Sequence, residues 1–231
     1  SRLSINGALV ELKEGHFRIV ATDNKRMAIT EYPIVTSIDD FRVAVPVGFL
    51  RAILKVTSRD IDTRIATIGV SGKRVFYKIS GITVYSAILQ GAFPPYEEIL
   101  NIKLNHHIDC STKVLLHTLR RAMLVNKDLI SFNFEQCILK LSAISSLVGA
   151  GTTDMETSFT PPNAQGVIKI GFNPAYLKDA LEAITTKRCR LLFEGPKNAG
   201  ILKELITNDE GESVFDQFTY AVMPALLPRE S

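Results

Sequence analysis

Apolar residues recur at every second position along most of this chain and shift to a spacing of three and four in only three places. The alternating runs are rich in Val, Ile, Thr, Phe and Tyr and read as strands of half-buried sheets. The three interruptions read as short amphipathic helices. In the first, Pro46–Val56, the proline suits a first helical turn, where its missing N–H costs nothing. Phe49, Leu50, Ile53 and Leu54 form its apolar stripe, and Arg51, Lys55 and Arg59 recur every four residues on another face. The second, Ser111–Val125, has Ser111 or Thr112 as N-cap. Leu115, Leu116, Leu119, Ala122 and Met123 make its apolar side, with Lys113, His117 and Arg120 or Arg121 opposite. The third, Asn173–Ile184, is capped by Asn173 with Pro174 at its first position, and turns Leu177, Ala180, Leu181 and Ile184 inward.

Each helix follows a short strand (Arg42–Val45, His107–Cys110, Val167–Gly171) and precedes hairpin-like strands. These are Thr63–Gly69, Lys73–Ser80 and Thr83–Leu89 after the first helix. After the second come Ile130–Phe134, Cys137–Ser142 and Met155–Thr160, and after the third Arg188–Phe193, Gly200–Leu205 and Phe218–Val222. Strand, helix, strands is thus written three times, and a repeated unit points to a quasi-symmetric assembly. The opening residues, Leu3–Leu12, His16–Ala21 and Met27–Pro33, read as the same meander without its helix. Phe93-Pro94-Pro95-Tyr96 interrupts regular structure, so the expected organisation is a domain over 1–91, a linker over 92–103 and a domain over 104–231.

A length of 231 residues fits one large or two modest domains with a real core. No apolar run approaches the roughly 20 residues of a membrane helix, and Ser1–Asn6 has no secretory signal pattern. Cys110, Cys137 and Cys189 lie far apart and odd in number, which fits reduced, buried thiols in a cytoplasmic protein. A net charge of +3 does not by itself announce nucleic acid, but its distribution is uneven. Phe41–Arg59 and Cys110–Lys127 each hold four bases and no acid, whereas Glu204–Asp216 holds five acids and no base. Helices that bury apolar stripes on sheets and turn basic stripes to one side would attract a phosphate backbone without reading sequence. The third helix is the weakest in this respect, because Asp179 and Glu182 dilute Lys178 and Lys187.

Candidate chemistry is sparse. His106 and His107 are adjacent strand residues facing opposite ways, which suits no shared metal. Asp39-Asp40 and Asp60 with Asp62 lack a third ligand at a recognisable spacing. Gly149-Ala150-Gly151 and Gly195-Pro196 read as hairpin or loop punctuation, and no nucleotide, hydrolase or zinc signature occurs. No catalytic residue, metal or cofactor is expected. A nucleic-acid enzyme with a dispersed active site stays open as a rival reading.

Ile5-Asn6-Gly7, then Arg18–Ala28 with Ala21-Thr22-Asp23-Asn24-Lys25-Arg26-Met27-Ala28, resemble a signature of the middle domain of the bacterial DNA sliding clamp family, the beta subunit of DNA polymerase III. Gly91-Ala92-Phe93-Pro94-Pro95-Tyr96, Gly171-Phe172-Asn173 and Tyr220-Ala221-Val222-Met223-Pro224 are similar to its linker, its last helix start and its ending. The resemblance implies an α+β DNA-clamp fold of repeated strand-helix-strands units, with sheets outside and helices lining a channel. It implies a middle domain lacking its start, followed by a complete last domain, and a homo-oligomeric ring when full length, with Met123 and Leu124 at ring-interface positions. The implied partners are duplex DNA, polymerase subunits, the clamp loader and repair proteins carrying a short hydrophobic peptide. Their cleft would be walled by Ile5, Thr22, Asn24, Lys25, Arg26, Met27, Pro94, Glu98, Ile99, Asn173, Tyr176, Ala221, Met223, Pro224, Ala225 and Leu226. DNA-facing positions would be Arg2, Arg51, Lys55, Lys113, Arg120, Arg121 and Lys178. Asn24-Lys25 replaces glycine-histidine, a turn Asn can keep because it tolerates a left-handed backbone. Ala225-Leu226 replaces methionine-arginine. A stand-alone peptide-binding module that never encircles DNA is the alternative.

Overall fold

A computed structural model of the chain describes residues 6–35, 39–58, 65–145, 147–157, 167–207 and 213–228. Arg2, Ile5, Arg59, Asp60 and Asp62 lie outside the described residues, as does the end of the strand expected at Met155–Thr160. The chain divides into two compact units, one built from residues 1–23 and 29–96, the other from 24–28 and 97–231. The boundary at Tyr96/Glu97 falls inside the span read as a linker.

The first unit opens with a meander, β1 (Gly7–Lys13), β2 (His16–Thr22) and β3 (Arg26–Pro33), of which β3 belongs to this unit from Ile29 on. Then β4 (Phe41–Pro46) leads into α1 (Val47–Thr57), which is followed by β5 (Ala66–Ser71), β6 (Arg74–Ile79) and β7 (Ile82–Ala87). β4 pairs antiparallel with β1, so its sheet runs β4-β1-β2-β3, while β5-β6-β7 form their own sheet. Phe49, Val10, Val45, Val75, Tyr77 and Ile79 form the core between helix and sheets, and the Tyr77 hydroxyl meets Thr57 Oγ1 at 2.9 Å. Pro46 stands at the N-cap instead of inside the first turn. Leu54, expected in the buried stripe, is 69% exposed, and Val56 packs in its place. The stripe centres on Phe49, Ile53 and Val56, and Leu54 sits roughly a third of a turn away from it.

The segment after β7 is part of this unit. Tyr96 is fully buried and its hydroxyl donates to Glu11, itself a buried carboxylate on β1. Arg18 Nη1 and Arg42 Nε stand 3.7 and 3.5 Å from the Glu11 carboxylate. A buried charge is tolerated only when paired and hydrogen-bonded. This cluster therefore ties the proline-rich strap to the sheet, where the sequence suggested only a break.

The second unit contains a one-turn helix, α2 (Glu97–Leu100), and two copies of the repeat. The first copy is β8 (His106–Ser111), α3 (Thr112–Ala122), β9 (Ile130–Glu135), β10 (Ile138–Ser145) and β11 (Gly149–Glu156). The second is β12 (Ile168–Phe172), α4 (Pro174–Ala183), β13 (Arg188–Phe193), β14 (Gly200–Thr207) and β15 (Ser213–Val222). The copies interlock: β12 joins β9 of the first and β8 joins β13 of the second, giving β11-β10-β9-β12 and β15-β14-β13-β8. Leu115, Leu119 and Ala122 of α3 and Leu177, Ala180 and Leu181 of α4 share one core with the inner faces of both sheets. Phe132 meets Phe172 edge-on at 5.2 Å and Phe134 stacks on Phe193 at 3.7 Å. Gly149-Ala150-Gly151, read as hairpin or loop punctuation, opens β11 where the hairpin returns: Gly149 has φ 97°, the three pair with Ser145, Ile144 and Ala143, and Val125 occupies the space a side chain at Gly151 would need.

Cys110 and Cys189 face each other across β8 and β13 as buried thiols, Sγ to Sγ 3.8 Å. Cys137 departs from expectation: it is exposed at the β9–β10 turn with φ 59°. A hairpin this tight holds residue 137 outside the core, whatever its side chain.

Two outcomes follow. Tyr96→Phe leaves the buried Glu11 carboxylate short of a donor, so it should cost about 1–3 kcal/mol, read as a lower urea midpoint with unchanged slope. With a thiol-reactive chromophore, Cys137 should react at once in the native chain, and Cys110 and Cys189 only on unfolding.

Candidate functional site

The surface of most interest lies within the second unit, where α4 begins. Asn173 Oδ1 accepts the backbone N–H of Ala175 at 2.9 Å and Pro174 takes the first helical position, so the helix starts where the sequence indicated. Residues 24–28 belong to this unit, and the backbone N–H of Met223 donates to the carbonyl of Lys25 at 2.8 Å. The turn before it has Asn24 at φ 69°, the left-handed conformation anticipated for it.

Arg26 is the centre of the arrangement. Its guanidinium donates to Asp179 Oδ2 at 2.7 Å, and its Cζ lies 4.4 Å from the centroid of the Tyr176 ring. The Tyr176 carbonyl accepts the hydroxyl of Tyr220 at 2.9 Å, which fixes that turn of α4 to β15. Beyond β15 the chain folds back along β12: the Ala225 N–H donates to the Gly171 carbonyl at 2.7 Å. This approach requires glycine at 171, because a Cβ there would stand 2.4 Å from the Ala225 oxygen. The outcome is an apolar strip with Met223 47% exposed and Leu226 93% exposed, flanked by half-buried Pro224, Ala225 and Tyr176. Met27 and Ala221 are buried beneath it.

Thirteen of the positions named from the sequence (Asn24, Lys25, Arg26, Met27, Glu98, Ile99, Asn173, Tyr176, Ala221, Met223, Pro224, Ala225 and Leu226) therefore fall in one unit. Glu98 and Ile99 sit on α2, exposed and half-buried respectively. Thr22 and Pro94 belong to the first unit, both half-buried. Asp179, which counted in the sequence only as a dilution of positive charge, is the partner that orients Arg26. The two are separated by 153 positions, so no local pattern signals the pairing.

The basic positions divide in the same way. Arg51 and Lys55 are exposed on α1. Lys113, His117, Arg120 and Arg121 are exposed on α3, and Lys178 is half-buried on α4. Glu182 bridges the two helices of the second unit, accepting from Arg120 Nη2 at 2.7 Å and Lys178 Nζ at 3.0 Å. Hydrogen bonds from Arg120 first and Lys178 second hold its carboxyl below the usual glutamate range. Two of the expected DNA-facing cations thus share one anion. At the end of α3, Leu124 is 79% exposed while Met123 packs against the core. The His106 ring lies tilted against Phe193 with centroids 5.8 Å apart, and no cluster of three metal-ligating side chains occurs among the described residues.

Strand, helix and three strands, interlocked in pairs around a shared core, define the DNA-clamp fold. The solved DNA polymerase III subunit beta of Pseudomonas aeruginosa superposes with a TM-score of 0.85 at 23% identity, covering 98% of this chain and 60% of that one. The family model for the C-terminal domain of the DNA polymerase III beta subunit matches residues 98–224, and that for its central domain matches residues 1–95. The chain belongs to the DNA polymerase III beta subunit family. It is similar to the beta sliding clamp of Rickettsia bellii, 24% identical over 213 residues, 88% of this chain and 56% of the relative. The Pseudomonas aeruginosa beta sliding clamp is 25% identical over 232 residues, 98% of this chain and 59% of the relative. The chain spans somewhat more than half the length of these relatives.

Gly171→Ala should push the Ala225 carbonyl off β12 and release the terminal run. The expected reading is amide exchange at Ala225 at least about tenfold faster, with β12 itself little changed; unaltered exchange would show that the close approach does not hold the run.

Proposed function

We propose that this chain is the docking part of a bacterial sliding clamp, a non-catalytic processivity factor that holds polymerases and repair proteins on duplex DNA. The observation that carries this reading is the exposed strip of Met223 and Leu226 beside the Arg26–Tyr176–Asp179 cluster, in a member of the beta subunit family. Leucine or phenylalanine anchors of a partner peptide would lie on Met223 and Leu226, methionine adapting to varied shapes. Arg26, already oriented by Asp179 and Tyr176, would meet the peptide at the rim without losing further side-chain entropy. Glu98 and Ile99, on α2 of the same unit, are further candidates for partner contact in this proposal; Thr22, Pro94 and Ile5 are named for it by the family resemblance alone.

Duplex DNA would be held by phosphate attraction alone, through Arg2, Arg51, Lys55, Lys113 and Arg121, with Arg120 and Lys178 moderated by Glu182. Contacts of this kind carry no sequence information, and sliding requires that they stay weak. Leu124, exposed at the end of α3, and Met123 would meet the neighbouring protomer of a homo-oligomeric ring in the full-length, cytoplasmic protein.

Calorimetry with a peptide of the type glutamine-leucine-x-leucine-phenylalanine tests the reading. One site per chain is expected, weakened about tenfold or more, ~1.4 kcal/mol, by Met223→Ser with Leu226→Ser. Absence of binding, or binding indifferent to both changes, would overturn the cleft assignment.

A further inference from the structure

The outward face of β5-β6-β7 takes no part in this reading. α1 covers the inner face, where Val75, Tyr77 and Ile79 are buried. Successive strand residues point to opposite sides, so the outer face carries Arg74, Phe76 and Lys78 from β6. The register sets Tyr85 directly across from Phe76 on one side and Gly69 on the other. The cross-strand neighbours of Arg74 and Lys78 on this face are Ser71, Ala87, Thr67 and Thr83, all small or hydroxyl-bearing.

Phe76 leans over Gly69, where a Cβ would come within 2.5 Å of the ring. With Phe76 lowered onto the backbone, Tyr85 stands clear at 66% exposure, its ring centroid 6.3 Å from that of Phe76. Arg74 and Lys78 are exposed two residues to either side of Phe76. Between Thr63 and Tyr96 the sequence has no Asp or Glu, so no acid of the sheet opposes an anion at this face.

We propose that this face binds single-stranded nucleic acid, an unpaired base stacking on Tyr85 and Phe76 while flanking phosphates meet Arg74 and Lys78. Aromatic rings framed by cations on an open surface are the chemistry of single-strand binding, since every base has a face that can stack. A duplex keeps its bases stacked inward and leaves Tyr85 without a role. An acidic peptide would use the cations but not the rings. The site is separate from the peptide strip and from the basic helix faces, and its success or failure does not depend on theirs.

The test is fluorescence anisotropy of a labelled thymidine oligonucleotide with the full chain at low salt, beside an equally long duplex and polyglutamate. Salt-sensitive single-strand binding is expected, reduced about tenfold by Tyr85→Ala, as loss of one base stack implies, with duplex binding unchanged. Arg74→Glu with Lys78→Glu should abolish single-strand binding and keep the circular dichroism of the native sheet. The idea is overturned if the single strand does not bind or if Tyr85→Ala leaves its affinity intact. Polyglutamate binding equally well would reduce the face to simple anion attraction and overturn it too.

Discussion

Everything in this structure depends on one constraint: its helices are too short to persist unless each buries an apolar stripe on a sheet. α1 and α3 have 11 residues and α4 has 10, lengths at which an isolated helix is marginal in water. In the second unit the constraint is met twice over by one core, because β8 and β12 cross into each other's sheets and bring α3 and α4 side by side. Once the stripes are spent on the core, only the remaining helix faces and the outer sheet faces are left to meet other molecules. The cations of α1, α3 and α4 lie on the former, and Arg74, Phe76, Lys78 and Tyr85 on the latter.

The peptide-sized strip near α4 is a consequence of the same packing. Asn173 sets the first turn of the helix and Tyr220 anchors the next through the Tyr176 carbonyl. Tyr176 is thereby held where Arg26 can lie over its ring, and Asp179, one turn further along α4, is in reach of the guanidinium. An exposed arginine–carboxylate pair contributes little to stability. Its effect is to hold Arg26 in one direction beside Met223 and Leu226. Gly171 completes the arrangement by letting the terminal run lie directly on β12.

Most elements were legible from periodicity, because side-chain burial in two-layer sheets follows a period of two and in these helices 3.6. The start of α4 was readable to the residue, since Asn173-Pro174 is a local capping signal. Where the sequence misled, a non-local contact decided. Leu54 fits an apolar stripe until α1 is seen to centre its buried face on Phe49, Ile53 and Val56, packed against strand residues far from it in sequence. The strap ending in Tyr96 reads as a break in regular structure, yet its last side chain is among the most buried in the chain, and only the distant Glu11 explains it. The residues of the terminal strip came from family resemblance and not from pattern: Met223, Tyr176 and Met27 alone would read as ordinary core. Asp179 was missed because pairing across 153 positions leaves no trace in local spacing.

The charge on the paired helices completes the physical argument. If α3 and α4 presented their cations unopposed, each would add to the attraction of this surface for any phosphate backbone. Glu182 sits between Arg120 and Lys178, and the hydrogen bonds both donate keep its carboxylate ionised to lower pH than an ordinary glutamate. Its carboxylate therefore offsets part of their field, while Lys113 and Arg121 stand exposed on α3. The same acids that dilute the positive charge of α4 are the ones that organise it: Asp179 toward Arg26, Glu182 toward Arg120 and Lys178.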